Sequence, residues 1–486
     1  MKKENSLTNN AILNGIKQAC SILFPFISFV YCSRTLGSEG IGVYSFGQSI
    51  VAYFLLIAAL GVPNYAIREG ARVKDDKEKL VPFINQVFSI NCIMTVVSYI
   101  LLFASVLFVE KLDYYKMVIL IQSIQIVLTT LGADWINSIF EDYAYLAIRY
   151  IAIQVLAIIC LLIFVRKPTD VLVYTLITML SNAGGNILNW FYLRRKYGIK
   201  VSFTLNMCWN DHFKSIVVLF FNSVALIIYM NSDITMLGFL KDDNSVGIYT
   251  VSSKIYSMMK TLVNAIIMVT IPRFSYYIEN NNKKKYQESL SKVFNVLLLI
   301  IFPLSIGLYL EAEKIIYLVA GEGYLPGTSV VRILSFAMLF AVYACFYSYS
   351  ILIPNRLEKR FLQATVVASL INIGLNFVFI PVWGMNGAAI TTLIAEFVVC
   401  VISAYYSNKQ ISISFDYRNT FSIIVSGLSV ILVCFIIDSI IGNPFVALLV
   451  DIILSSVVYC AFLIIFKNPL VLGLVKEFMT PRMRNE

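Results

Sequence analysis

A run of about 20 apolar residues is long enough to cross a bilayer as a helix, and this sequence supplies such runs almost without pause. Candidate spans are 11–33, 41–63, 84–109, 114–135, 145–165, 170–193, 213–239, 247–271, 289–310, 329–353, 361–382, 385–407, 419–438 and 444–466. The runs are continuously apolar rather than alternating, which excludes a membrane β-barrel. Of 486 residues, 59% are hydrophobic and 14% charged; soluble domains carry roughly 25% charged residues. A soluble fold of this size has too little polar surface to cover so much apolar side chain. The expected fold is an all-α polytopic membrane protein of about fourteen spans.

The connections between spans carry the next constraint. Lys and Arg concentrate in alternate loops: Lys2 and Lys3, then Arg68, Arg72, Lys74, Lys77 and Lys79, then Arg194, Arg195, Lys196 and Lys200. Arg273 with Lys283 to Lys285, then Arg356, Lys359 and Arg360, and finally Lys467, Lys476, Arg482 and Arg484 continue the series. By the positive-inside rule both termini face the cytoplasm. The net charge of +10 follows from these loops and suits an anionic inner leaflet, with no nucleic-acid partner required. The basic start "MKKENSLTNN" leads directly into a full span and is expected to be retained. The nine cysteines lie mostly in apolar runs without CxxC spacing, and there is one histidine. A disulfide framework and a metal site are therefore not expected. No GxxxxGK occurs, and no cofactor or enzymatic activity is expected.

"TLGSEGIGVYSFGQSI" (35–50) is echoed by "MLGFLKDDNSVGIYTVSSKI" (236–255), with Gly42 and Tyr44 matching Gly247 and Tyr249. Each stretch joins the first two spans of a six-span group, as in a parallel internal repeat. Gly37, Gly40 and Gly42 are expected to permit a sharp reversal there. Polar residues within the spans fall on shared helix faces. Span one aligns Asn10, Asn14, Lys17, Ser21 and Ser28; span eight aligns Thr250, Lys254, Ser257, Thr261 and Asn264, with Lys260 beside them. Span seven aligns Asn222, Tyr229 and Asp233, span six Asn182, Gly185, Asn186 and Asn189, span eleven Ser369, Asn372 and Asn376, and span twelve carries Glu396. The Asn-rich faces serve equally as helix-packing contacts. A lysine at a helix centre is harder to accommodate, because insertion there costs about 2.5–3.5 kcal/mol. Lysines lining a hydrated lumen point to an anionic cargo, with Asp233 and Glu396 as their partners or as carriers of a coupling ion. Asp438 and Asp451 are expected at the interface.

"FPFISFVYCSRTLGSEGIGVYSFGQSIVAYFLLIAALGVPNYAIREGAR" (24–72), "GEGYLPGTSVVRILSF" (321–336) and "SLINIGLNFVFIPVWGMNGAAITTLIAEF" (369–397) closely resemble landmarks of the Wzx-type O-antigen and polysaccharide repeat-unit flippases. These belong to the multidrug/oligosaccharidyl-lipid/polysaccharide exporter superfamily. The resemblance implies two six-helix bundles, 1–200 and 201–410, around a central cavity, followed by two further helices and a tail in 411–486. It implies a substrate of undecaprenyl-diphosphate-linked oligosaccharide, moved from the cytoplasmic to the outer leaflet of the bacterial inner membrane by alternating access. Lys17, Lys254 and Lys260 would then receive the diphosphate, with Asn14, Asn222, Asp233, Asn264 and Glu396 as further cavity residues. Lysine would bind phosphate as a point charge, not as a bidentate fork. Arg34 reads as an outer gate or an interfacial anchor, and Arg68 and Arg72 as an inner entrance or topology charges. Membrane lipids and a polysaccharide polymerase are the expected partners. A drug/cation antiporter of the same fold is the alternative. A membrane polymerase or glycosyltransferase would need larger, residue-rich outer loops, and a scaffold would have no use for aligned lysines.

Overall fold

The computed structural model describes the backbone of residues 2–414 and 416–473, and the side chains over that range apart from residues 2–19, 22, 210, 211 and 222. Among the described residues there is no strand, and 11 helices are long and apolar enough to cross a membrane. The chain divides into two compact units, residues 1–250 and 251–486.

The first unit holds α1 (Lys2–Ala59), α2 (Val62–Val73), α3 (Lys77–Phe108), α4 (Glu110–Asp113), α5 (Lys116–Gly132), α6 (Asp134–Ile139), α7 (Tyr143–Phe164), α8 (Val171–Met179), α9 (Asn186–Tyr197), α10 (Trp209–Leu240) and the start of α11 (Asp243–Glu279). The first two expected spans both lie in α1, which breaks at Gly37 (φ 71°, ψ 177°). That backbone region is open essentially to glycine alone. Gly40 and Gly42 have no positive φ, so the expectation that all three glycines bend the chain needs correcting. Two other expected spans also differ. Expected span 114–135 is shortened to Lys116–Gly132 because Ala133 turns left-handed (φ 46°). Expected span 170–193 is interrupted by a π-turn over Leu180–Gly184, in the polar run "LSNAG".

Gly42 serves close packing instead. Its added Cβ would stand 1.8 Å from the Asp243 carbonyl oxygen, and one on Gly247 would stand 1.8 Å from the Ser38 carbonyl oxygen. The spacing from Gly42 to Gly247 equals that from Ser38 to Asp243, so the two repeat-related stretches meet reciprocally. In lipid, apolar side chains gain little by leaving the acyl chains for one another, and close backbone approach at small residues holds helices together instead. Ser38 and Asn244 side chains hydrogen-bond across this crossing, and Tyr115 OH donates to Asp243 Oδ1 at 2.6 Å.

The second unit holds the rest of α11, then α12 (Lys283–Leu310), α13 (Ala312–Ala320), α14 (Thr328–Tyr347), α15 (Glu358–Asn408), α16 (Tyr417–Ile440) and α17 (Pro444–Ile465). Expected spans eleven and twelve share α15, which breaks at Gly384 (φ 55°). Asn376 and Thr391 side chains nonetheless hydrogen-bond, and Asn372 Nδ2 donates to Thr391 Oγ1 at 3.4 Å. A straight helix would hold Asn376 and Thr391 about 22 Å apart. The two limbs therefore fold back on each other, and this buried polar clasp fastens them. Gly387 allows the approach: a Cβ there would lie 2.2 Å from the Phe379 carbonyl oxygen.

The last two helices pack on α12 through Ile423, Val430, Cys434 and Tyr459 against Leu298, Leu299 and Phe302. A buried amide chain reinforces them: Asn419 Nδ2 donates to Asn295 Oδ1 at 2.9 Å, and Asn468 Nδ2 to Asn419 Oδ1 at 2.7 Å. Asp451 is 1% exposed and so is buried, not interfacial as the sequence led us to expect.

Candidate functional site

The second unit carries Lys254, Lys260 and Asn264 on α11. Lys260 Nζ lies 2.9 Å from Glu396 Oε1, with side-chain exposures of 26% and 7%. The same oxygen accepts a 2.9 Å hydrogen bond from Tyr256 OH, and the ammonium lies 4.9 Å from the centre of the Tyr256 ring. Tyr256 and Lys260 are one helical turn apart, so α11 presents both to α15 together. A buried carboxylate without a cation would be strongly disfavoured; here one ammonium and one phenol hold it. Lys254 is half-buried on the same helix. Asn264 donates to Cys345 Sγ at 3.3 Å, and its Oδ1 is buried without a hydrogen-bond partner.

The first unit carries Asp233 on α10, buried, and Tyr249 OH donates to its Oδ2 at 2.6 Å. Arg34 is exposed. Arg68 and Arg72 share one carboxylate, at 2.9 Å and 2.7 Å from the Glu69 oxygens, and both are exposed. Lys17, Asn14 and Asn222 lie outside the described side chains. Among the described candidates, then, Lys260 and Glu396 meet directly in the second unit, and in the first unit Arg68 and Arg72 share Glu69.

Arg149 escaped the reading of the sequence. It sits in α7 within the expected span 145–165, so the rule that drew attention to Lys260 applies to it equally. Its side chain is 9% exposed; it pairs with Asp134, lies 3.4 Å from Asn186 Oδ1 and stands 5.5 Å from the Tyr145 ring centre. Asp134 and Asn186 also line a cavity of about 110 Å³ with Asn91, Thr130 and Trp135. Trp135 Nε1, in that lining, and Arg149 Nη1 are each buried without a hydrogen-bond partner. Tyr256 was likewise overlooked, because a tyrosine among apolar residues gives no signal until its carboxylate partner on a distant span is known.

Residues 7–278 match the family described as polysaccharide biosynthesis protein. The chain is 24% identical over 395 residues to the putative O-antigen transporter of Escherichia coli (strain K12), covering 81% of this chain and 95% of that one. It is 22% identical over 399 residues to the capsular polysaccharide biosynthesis protein CapF of Staphylococcus aureus, covering 80% of this chain and 96% of that one. Among solved structures, the lipid II flippase MurJ in an inward closed conformation superposes with a TM-score of 0.74 at 19% identity, covering 95% of this chain and 100% of that one. An inward-facing multidrug resistance MATE family transporter of the MOP superfamily superposes with a TM-score of 0.62 at 14% identity, covering 82% and 98%. The fold is the one these two structures share.

Proposed function

Because the chain belongs to the polysaccharide biosynthesis protein family, we propose that it is a flippase for undecaprenyl-diphosphate-linked oligosaccharide repeat units. It carries them from the cytoplasmic to the outer leaflet of the bacterial inner membrane by alternating access, with both termini cytoplasmic. The observation that carries this reading is a pair of lysines, Lys254 and Lys260, within one membrane helix of a chain whose full-length relatives are named for O-antigen transport and capsular polysaccharide biosynthesis.

In this reading the diphosphate competes with Glu396 for Lys260. Two phosphate charges attract an ammonium more strongly than one carboxylate does, and the low dielectric magnifies the difference. Glu396 holds Lys260 in place while the site is empty, then gives it up as the headgroup arrives. Lys254 supplies a second positive charge to the same helix. The prenyl tail stays in lipid while the glycan headgroup crosses. Direction comes from differing affinity in the two access states, assisted by an ion gradient or by consumption of the product.

Replacing Lys254 and Lys260 together by Ala is expected to abolish surface glycan in cells that depend on this chain, with the protein still present in the membrane. Lys254→Arg and Lys260→Arg, which keep the charge, are expected to retain part of it. Unchanged surface glycan in the double Ala variant would remove both lysines from the mechanism. The rival reading, a drug/cation antiporter, draws on Asp233 and Glu396. It predicts proton- or Na⁺-driven efflux of cationic dyes that is lost in Asp233→Asn and untouched by Lys254→Ala alone.

A further inference from the structure

Glu311 occupies the joint between α12 and α13. Lys314, less than one turn on, lies 2.7 Å from Glu311 Oε2 and 3.0 Å from Asp451 Oδ2, and pairs also with Asp438. One ammonium thus faces three carboxylates. Asp438 is half open to its surroundings, with 47% of its side chain exposed. Glu311 and Asp451 are 4% and 1% exposed, and each presents an oxygen with no hydrogen-bond partner, Glu311 Oε1 and Asp451 Oδ1. A buried carboxylate oxygen left unpaired costs roughly 1–3 kcal/mol or more. Two such oxygens in one pocket, together with surplus negative charge, describe a place for a cation.

The third wall of the pocket is sulfur. Cys434, on α16 one turn before Asp438, is buried, and one ligand atom each from Glu311, Cys434 and Asp451 all lie within 4.8 Å of one another. We propose that these three residues form a binding site for a single divalent cation of borderline softness, of the Zn²⁺ kind. Carboxylate oxygen combined with thiolate sulfur suits Zn²⁺ and disfavours Mg²⁺ or Ca²⁺, which take oxygen alone. Around tetrahedral Zn²⁺ such atoms stand roughly 3.3–3.8 Å apart, so side-chain movements of about 1 Å close the site, and solvent supplies the fourth ligand.

Binding lowers the surplus charge. On binding, Cys434 gives its thiol proton to solvent. The three carboxylates and the Lys314 ammonium carry a surplus of two negative charges; the thiolate and the doubly charged cation together reduce it to one, at Asp438, the most exposed of the three carboxylates. The site ties the α12–α13 joint to α16 and α17 and shares no residue with Lys254, Lys260 and Glu396. It therefore stands or falls independently of the proposed transport.

The test uses the purified full-length chain in detergent, stripped of metal by a chelator and titrated with Cd²⁺. Cd²⁺ is a Zn²⁺ surrogate whose bond to thiolate gives an ultraviolet charge-transfer band. The expected result is a band that saturates at one Cd²⁺ per chain and is reversed by Zn²⁺ but not by Mg²⁺. The band is lost in Cys434→Ser and kept in Cys460→Ser, which changes the exposed cysteine of α17. Asp451→Asn is expected to weaken binding by about tenfold or more. If that variant does not fold, the comparison of the two cysteine variants decides alone. A band that persists in Cys434→Ser, or no saturable binding to chain that remains monodisperse, would overturn the site in favour of protonated carboxyls.

Discussion

At the scale of single residues, the Lys260–Glu396 ion pair is structural, and the transport role proposed for Lys260 is separable from it. Glu396→Ala strands an ammonium that is only partly exposed and is expected to destabilise the chain by about 2 kcal/mol or more. Adding Lys260→Met removes the stranded charge, so the double variant should be more stable than Glu396→Ala alone. A double-mutant cycle by thermal unfolding in detergent should give a coupling of about 1 kcal/mol or more; strict additivity would show that the pair contributes nothing. Transport should not return with stability, because Lys260 is still absent.

A second residue-scale expectation concerns Asp142, in the connection before α7. Its carboxylate accepts hydrogen bonds from Lys196 and Tyr192 at 2.6 Å and from Tyr197 at 2.9 Å. Burial pushes the Asp142 carboxyl up, but the hydrogen bonds from Lys196, Tyr192 and Tyr197 outweigh it and hold the group below the usual carboxylate range. A depressed folded-state value means that this contribution is complete above the unfolded aspartate value of about 3.9. It is lost as pH falls from there through the folded value. Asp142→Asn is therefore expected to lower stability at neutral pH by about 1.5–3 kcal/mol. The gap from wild type should shrink as acid protonates the wild-type carboxyl; a gap independent of pH would contradict the assignment.

At the scale of elements, the glycines of α1 divide into two kinds. Gly37 has open space where a Cβ would go but a backbone only glycine favours, with φ at 71°; Gly37→Ala should cost on the order of 1–3 kcal/mol. Gly42 and Gly247 have ordinary backbones, but a Cβ on either would meet a carbonyl oxygen at 1.8 Å. Backbone yields less readily than side chain, so Gly42→Ala and Gly247→Ala should each lower thermal stability more than Gly37→Ala and by similar amounts. Unequal losses would show that the reciprocal geometry does not govern the packing.

These elements also mark how far the sequence could be read. The apolar runs located nearly every membrane helix, because lipid demands length and apolarity of each helix by itself. The Gly-x-Tyr echo picked out Gly42, read as a turn former, and Gly247, read as its repeat match. Their real role, backbone contact with each other's stretch, depends on a partner some two hundred residues away in sequence. The stripe on α11 located Lys254 and Lys260 for the same local reason that located the helices. Glu396 was expected as a partner of the lysines or a carrier of a coupling ion, and it pairs with Lys260; the Tyr256 contact to Glu396, the Arg149–Asp134 pair and the burial of Asp451 were hidden because each is set by which helices neighbour one another. Helix periodicity carries no such information.

At the scale of the whole molecule, alternating access requires that some contacts formed in one state be released in the other. The Ser38–Asn244 hydrogen bond beside the reciprocal glycine crossing is a natural place to test this. Cysteines introduced at Ser38 and Asn244, in a chain whose native cysteines are replaced, should form a disulfide under oxidation. Transport should then stop, and a reducing agent should restore it. Full transport by the oxidised, cross-linked chain would show that this crossing stays closed throughout the cycle.

The most direct test places the purified chain in liposomes with a fluorescent undecaprenyl-diphosphate oligosaccharide and adds a membrane-impermeant quencher. Wild-type protein is expected to expose the entire labelled pool to the quencher, while Lys254→Ala/Lys260→Ala exposes only the outer-leaflet share seen in protein-free vesicles. Wild-type vesicles indistinguishable from protein-free ones would contradict this expectation, as would a double variant that flips the lipid at the wild-type rate.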